Sequence, residues 1–232
     1  VDAAEIRVLS AGAVKSIIEE LSEMFRQETG HTVKATFGPV GATRQTLERG
    51  EPADVVILTD AAIDELAGRG LVVAGSRADI ARTAIGVAVR EGAPRPDVST
   101  PEALEQTLLS AKSIVYVDPA RGATSGIHFA SVLARLGIAD AVKDRTILKD
   151  GGFAAEAVAK GEAEVCVHQI SEILPVRGVT LAGPLPRELQ KVTTYSAGLV
   201  ARSDAQDAAR SFIAYVTRPA FKPKFAAAGL AY

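Results

Sequence analysis

Arg121, Cys166 and His168 are the side chains whose types and surroundings could do chemistry. Arg121 follows Asp118-Pro119 at the end of an apolar run and precedes Thr124-Ser125-Gly126, where a helix should start. A guanidinium fork there could meet a carboxylate or another oxyanion. Cys166 and His168 lie two apart in Val165-Cys166-Val167-His168, which puts them on one face of a strand. They read either as a thiol nucleophile with its imidazole base, or as a small core residue beside a histidine that reaches a ligand from the strand end. Backbone groups add to these. Ser10-Ala11-Gly12-Ala13, Gly38-Pro39-Val40-Gly41-Ala42-Thr43, the Arg121–Gly126 stretch and Asp150-Gly151-Gly152 are turns of small residues. Small side chains let a ligand come close, and the first N–H groups of a helix lack an intrahelical acceptor and favour negative charge.

Elements must hold these groups in place. A short strand at Ile6–Leu9 leads into a helix whose Val14, Ile17, Ile18, Leu21, Met24 and Phe25 form one apolar face, closed by Gly30. A strand at Thr32–Phe37, a helix ending near Gly50, a buried strand at Asp54–Thr59 and a helix over Ala61–Ala67 complete a βαβαβα order, which implies a parallel sheet. Further strands are expected at Ala84–Arg90, Ser113–Asp118, Thr146–Leu148, Glu164–His168, Val179–Leu181 and Thr193–Ala201. Thr100-Pro101-Glu102 starts one intervening helix, and Phe129, Val132, Leu133 and Leu136 line another. Parallel α/β sheets carry ligands beyond the carboxyl ends of their strands, and the small-residue turns fall there. Thr59, at such an end, joins the candidates.

Composition excludes several classes. With 26 basic against 28 acidic residues, no basic excess exists to hold a nucleic acid. Aromatics make up 5% with no Trp, too few for a large stacking groove. One Cys forms no internal disulfide or Cys-rich zinc site, and His31, His128 and His168 lie far apart, so neither metal nor cofactor is expected. No apolar run reaches the roughly 18 residues of a membrane span. There is no Gly-x-Ser-x-Gly elbow, no phosphate-binding Gly-x-x-x-x-Gly-Lys loop and no Gly-x-Gly-x-x-Gly after a strand. The start at Val1-Asp2-Ala3-Ala4-Glu5 fits either removal of a signal peptide or a trimmed chain.

Several motifs together carry a resemblance: Val8-Leu9-Ser10-Ala11-Gly12-Ala13-Val14, Gly50-Glu51-Pro52-Ala53-Asp54-Val55-Val56-Ile57, Asp118-Pro119 with Ser125-Gly126-Ile127 and Leu136-Gly137, and Lys160-Gly161-Glu162-Ala163 before a strand. In these the chain resembles the periplasmic molybdate-binding protein family of ABC importers, a branch of the type II solute-binding proteins, over nearly its whole length. The resemblance implies two α/β lobes, each a mostly parallel sheet flanked by helices, closing on a ligand like a clamshell. Residues 1–83 and 197–232 would form the first lobe and 84–196 the second. It further implies a monomeric periplasmic or extracellular binder, not an enzyme, whose closed form is read by a membrane permease.

The resemblance places the ligand among Ser10, Ala11, Gly12 and Ala13, among Gly38, Pro39, Val40 and Gly41, and beside Thr59, Arg121, Thr124, Ser125, Gly151, His168 and Gln169. Family members that bind oxyanions present hydroxyls where this chain has Ala13 and Val40-Gly41, and a tyrosine where it has Gln169. Loss of those hydroxyls, with Arg121 and His168 at hand, favours a small organic anion over molybdate. The alternatives are molybdate or tungstate held by backbone amides, and an enzyme on the same scaffold using Cys166 and His168.

Overall fold

The computed structural model of the protein describes residues 3–231; Val1 and Asp2, within the start read as processed or trimmed, and Tyr232 lie outside them. In chain order the elements are β1 (Glu5–Ala11), α1 (Lys15–Thr29), β2 (Thr32–Gly38), α2 (Val40–Glu48), β3 (Val55–Thr59), α3 (Asp60–Gly68), β4 (Ala78–Thr83), β5 (Ile85–Arg90), α4 (Pro101–Ser110), β6 (Ile114–Val117) and α5 (Thr124–Arg135). They continue with α6 (Ala139–Val142), β7 (Thr146–Lys149), α7 (Ala155–Ala159), β8 (Val165–Gln169), α8 (Ile170–Ile173), β9 (Val179–Pro184), β10 (Thr193–Leu199), α9 (Gln206–Val216) and α10 (Lys222–Ala227).

The chain divides into two compact units. The first takes the residues up to Arg82 and those from Thr194 onward; the second is Thr83–Thr193. The return point lies three residues ahead of the 196/197 boundary expected from sequence. It falls there because β10 already pairs with β3 from Tyr195 on, opposite Thr59.

The first unit's sheet has the order β2-β1-β3-β10-β4. β1 runs parallel to β2 and β3, whereas β10 runs antiparallel to β3. The second sheet has the order β7-β6-β8-β5-β9, with β6 parallel to β7 and β8 but β5 antiparallel to β8 and β9. Both sheets are therefore mixed rather than mostly parallel. Parallel neighbours need a long crossover, usually a helix, and β10 and β5 enter their sheets without one. β4 was not expected from sequence: its run Ala-Asp-Ile-Ala-Arg-Thr buries Ile80 and Ala81 together between Asp79 and Arg82, breaking the alternation that marks a strand.

Local chemistry explains the element ends. α1 buries Ile17, Ile18, Leu21 and Phe25 and stops at Gly30, whose left-handed φ of 79° lets its N–H donate back to the Arg26 carbonyl at 2.8 Å. Thr100 caps α4 by accepting from Ala103 N–H at 3.1 Å, with Pro101 in the first turn. In the first core, Phe25 meets the rings of Phe212 and Tyr215 edge-on at 5.3 and 5.1 Å. In the second, Tyr116 meets Phe129 at 5.0 Å.

One buried charge anchors the first unit. Asp54 is fully buried and accepts from Arg7 N–H at 2.7 Å, Arg7 Nε at 3.0 Å and Ser203 Oγ at 2.7 Å. This ties β1, the entry to β3 and the segment after β10. Burial pushes the Asp54 carboxyl up, but the hydrogen bonds from Arg7 and Ser203 outweigh it and hold the group below the usual range.

Candidate functional site

The second unit brings together residues far apart in sequence. β6 and β8 are parallel neighbours, so their carboxyl ends reach the same edge of the sheet. α5 starts there. Gly126 in its first turn packs so closely on the end of β6 that a Cβ would stand 2.0 Å from the Val117 carbonyl oxygen. This contact fixes the helix start over the strand end.

No side chain caps α5, so the N–H groups of Thr124, Ser125 and Gly126 have no partner within the helix. The turn before it is self-bonded. Asp118 accepts from Ala120 N–H at 2.9 Å, and its carbonyl accepts from Arg121 N–H at 3.0 Å. Arg121 is held there with an exposed guanidinium that has no hydrogen-bond or ion-pair partner among the described residues.

Beneath the helix start lies a buried polar cluster. Ser125 Oγ is 3.2 Å from His168 Nδ1, and both residues are buried. His168 Nε2 is 3.2 Å from the Gly152 carbonyl, which can only accept, so Nε2 carries a proton. Glu172 Oε2, from α8, stands 3.5 Å from the same Nδ1. Burial raises the Glu172 carboxyl above its ordinary range, and the nearby His168 opposes this. Ser125, His168 and the glycine turn were all legible as ligand candidates, and the structure joins them through the Gly152 carbonyl. Glu172 was missed. It follows His168 by four residues across a strand-to-helix turn, and a four-residue helix carries no periodicity to expose it.

The remaining candidates divide. Cys166 is fully buried in a core cluster with Ala155, Val158 and Ile173. Its thiol is pushed far up, by burial first and then by Glu172, which disfavours the thiolate that a Cys166–His168 nucleophile would need. Gln169 is buried at the end of β8 beside Ile85. In the first unit, Ser10 is buried and donates to the Ala11 carbonyl at 3.0 Å, and Thr59 caps α3 by accepting from Ala62 N–H at 3.3 Å. Ala11, Gly12 and Ala13 form an uncapped helical start before α1, and Pro39 leads into α2 with Val40 and Gly41 at an equally uncapped start. α3 and α4 are capped by their own threonines; α2 and α5 are open. Arg44, in α2, is committed to Glu48 and Glu65.

Among the described residues no group of three or more His, Cys, Asp or Glu could hold a metal ion. A groove of about 820 Å³ lies at the opposite ends of the second unit's strands, around Arg90, Lys112 and Val165, and none of the candidate residues lines it. Among the described residues no helix is long and apolar enough to cross a membrane.

Two mixed sheets, each flanked by helices, make this a two-lobe α/β protein of the periplasmic binding class. The structure of the periplasmic molybdate-binding protein of Azotobacter vinelandii superposes with a TM-score of 0.82 at 20% identity, covering 98% of this chain and 99% of that one. The chain belongs to the bacterial extracellular solute-binding protein family, whose model matches residues 6–231. Among its relatives, an aconitate isomerase of a Pseudomonas species is 34% identical over 217 residues, 91% of this chain and 81% of that protein. The molybdate-binding protein ModA of Azotobacter vinelandii is 26% identical over 223 residues, 94% of this chain and 86% of that protein.

Proposed function

We propose that the protein captures a small organic anion, a polycarboxylate, and delivers it to an ABC-type membrane permease. The observation that carries this is Arg121, an exposed residue with no side-chain partner among the described residues, in the turn that leads into the uncapped start of α5. A guanidinium fork matches a carboxylate bidentately, and the amides and the Ser125 hydroxyl complete a donor set. The name of the 34% relative supports the choice, because aconitate is an unsaturated tricarboxylate. The absence of hydroxyls at Ala13, Val40 and Gly41 weighs against molybdate. Calorimetry with trans-aconitate, citrate, molybdate and sulfate tests it. Carboxylate binding with molybdate silent is the expected result; tight molybdate binding with the carboxylates silent would overturn it.

A second reading, turnover of the ligand, is favoured by the same relative's name. Moving a double bond along such an acid requires a group that takes and returns a proton. The cluster of Ser125, His168 and Glu172 is the buried titratable assembly beside the α5 start that could supply one. Incubating cis- and trans-aconitate with the protein and following their vinyl resonances by NMR decides it: interconversion makes the chain an enzyme, and unchanged spectra leave it a binder.

A further inference from the structure

Glu172 lies outside every motif of the sequence, yet it is buried against the imidazole that holds Ser125. We propose that Glu172 couples anion capture to a proton, because one proton held between Glu172 and His168 Nδ1 turns the Ser125 hydroxyl into a donor for the bound carboxylate. This rests on capture of an organic anion at the start of α5.

Lone-pair accounting carries the argument. The Gly152 carbonyl fixes a proton on Nε2, so in neutral His168 the Nδ1 atom has one lone pair to offer. With a protonated Glu172, that lone pair takes the carboxyl proton. With the proton moved across, Nδ1–H faces the Glu172 carboxylate and the Ser125 oxygen. In both states the Ser125 O–H is free to point at an anion. Without the shared proton, the only donor left for Nδ1 is Ser125 itself. Ser125 then shows an incoming carboxylate nothing but lone pairs, over a buried negative charge. Burial favours the protonated cluster, in keeping with the upward shift of the Glu172 carboxyl.

The other groups around Glu172 leave this account intact. Among the described residues the titratable groups facing it are His168 and Cys166, both from β8, and the Cys166 thiol is pushed far up by burial. From α5 comes the Ser125 hydroxyl and from the loop after β7 the Gly152 carbonyl. β5 and β9, also packed against α8, send no charged side chain into ion-pair range of Glu172 among the described residues.

The test is calorimetry with trans-aconitate from about pH 7 to 9, where its carboxyls are ionised, in buffers of different ionisation enthalpy. Above the pH at which the free cluster loses its proton, the wild-type protein should take up one proton per anion bound, with affinity falling about tenfold per pH unit. In Glu172→Gln the side-chain amide donates permanently to Nδ1, so binding should persist while the pH slope disappears. Ser125→Ala should lose both affinity and slope, and serves alone if Glu172→Gln does not fold. Binding with no pH slope and no proton uptake overturns the proton coupling while leaving the anion reading intact. A slope that survives in Glu172→Gln, or in a folded Ser125→Ala, overturns the assignment. No binding of the anion at any pH overturns the underlying reading and this inference with it.

Discussion

Arg121 and Glu48 show how differently an exposed and a half-buried charge can be used. Glu48 is shared by Arg44 and Arg69, pairs screened by solvent that add little to the stability of the first unit. The Arg121 side chain has no partner among the described residues. Removing it should therefore leave folding alone: Arg121→Ala should melt within about two degrees of wild type, since exposed substitutions away from any partner stay near ±0.5 kcal/mol. Its affinity for a carboxylate should fall by about 2–5 kcal/mol, the cost of leaving a bound charge unpaired. A parallel loss of stability and affinity would make Arg121 a structural residue instead. His168 is the opposite case, with both ring nitrogens engaged, so its contribution to a ligand passes through Ser125.

At the scale of elements, the start of α5 depends on one missing methyl group. Alanine for glycine inside a helix ordinarily stabilises by up to about 1 kcal/mol. At Gly126 the sign should reverse, because the added Cβ would sit 2.0 Å from a backbone oxygen of β6, a strand that cannot yield cheaply. Gly126→Ala is expected to cost about 1–3 kcal/mol by overpacking and to lower anion affinity as the helix lifts from the strand end. Denaturant melts and calorimetry on the variant check both effects. The Asp54 anchor should show itself through pH. Its carboxyl is depressed in the folded chain, so its contribution is complete above the ordinary carboxylate range and is lost as pH falls through the folded value. Asp54→Ala should cost about 3 kcal/mol near neutrality, and stability should fall less steeply below about pH 4 than in the wild type. Chemical melts at neutral and acid pH measure the difference.

At the scale of the whole molecule, the two units are unequal in chain economy. The second is one uninterrupted stretch, Thr83–Thr193, with its own sheet and core, while the first is assembled from both ends of the chain. Expressed alone, residues 83–193 should unfold in a single cooperative transition; a non-cooperative melt would show that the core is incomplete. The sequence by itself determined what short-range patterning can carry. The apolar face of α1, the caps at Gly30 and Thr100 and the small-residue turns at strand ends follow from residue type and spacing within one or two turns. Arg121, Ser125 and His168 could be singled out in the same way. Tertiary structure alone decided which strands run antiparallel, that Ile80 and Ala81 belong to a strand, that Cys166 is core, and that Glu172 stands against His168. Pairing β6 with β8 brings Ser125 to His168 across 43 residues, and burial raises the Glu172 carboxyl above its ordinary range. Desolvation and long-range pairing are properties of the packed chain, and no local run of residues encodes them.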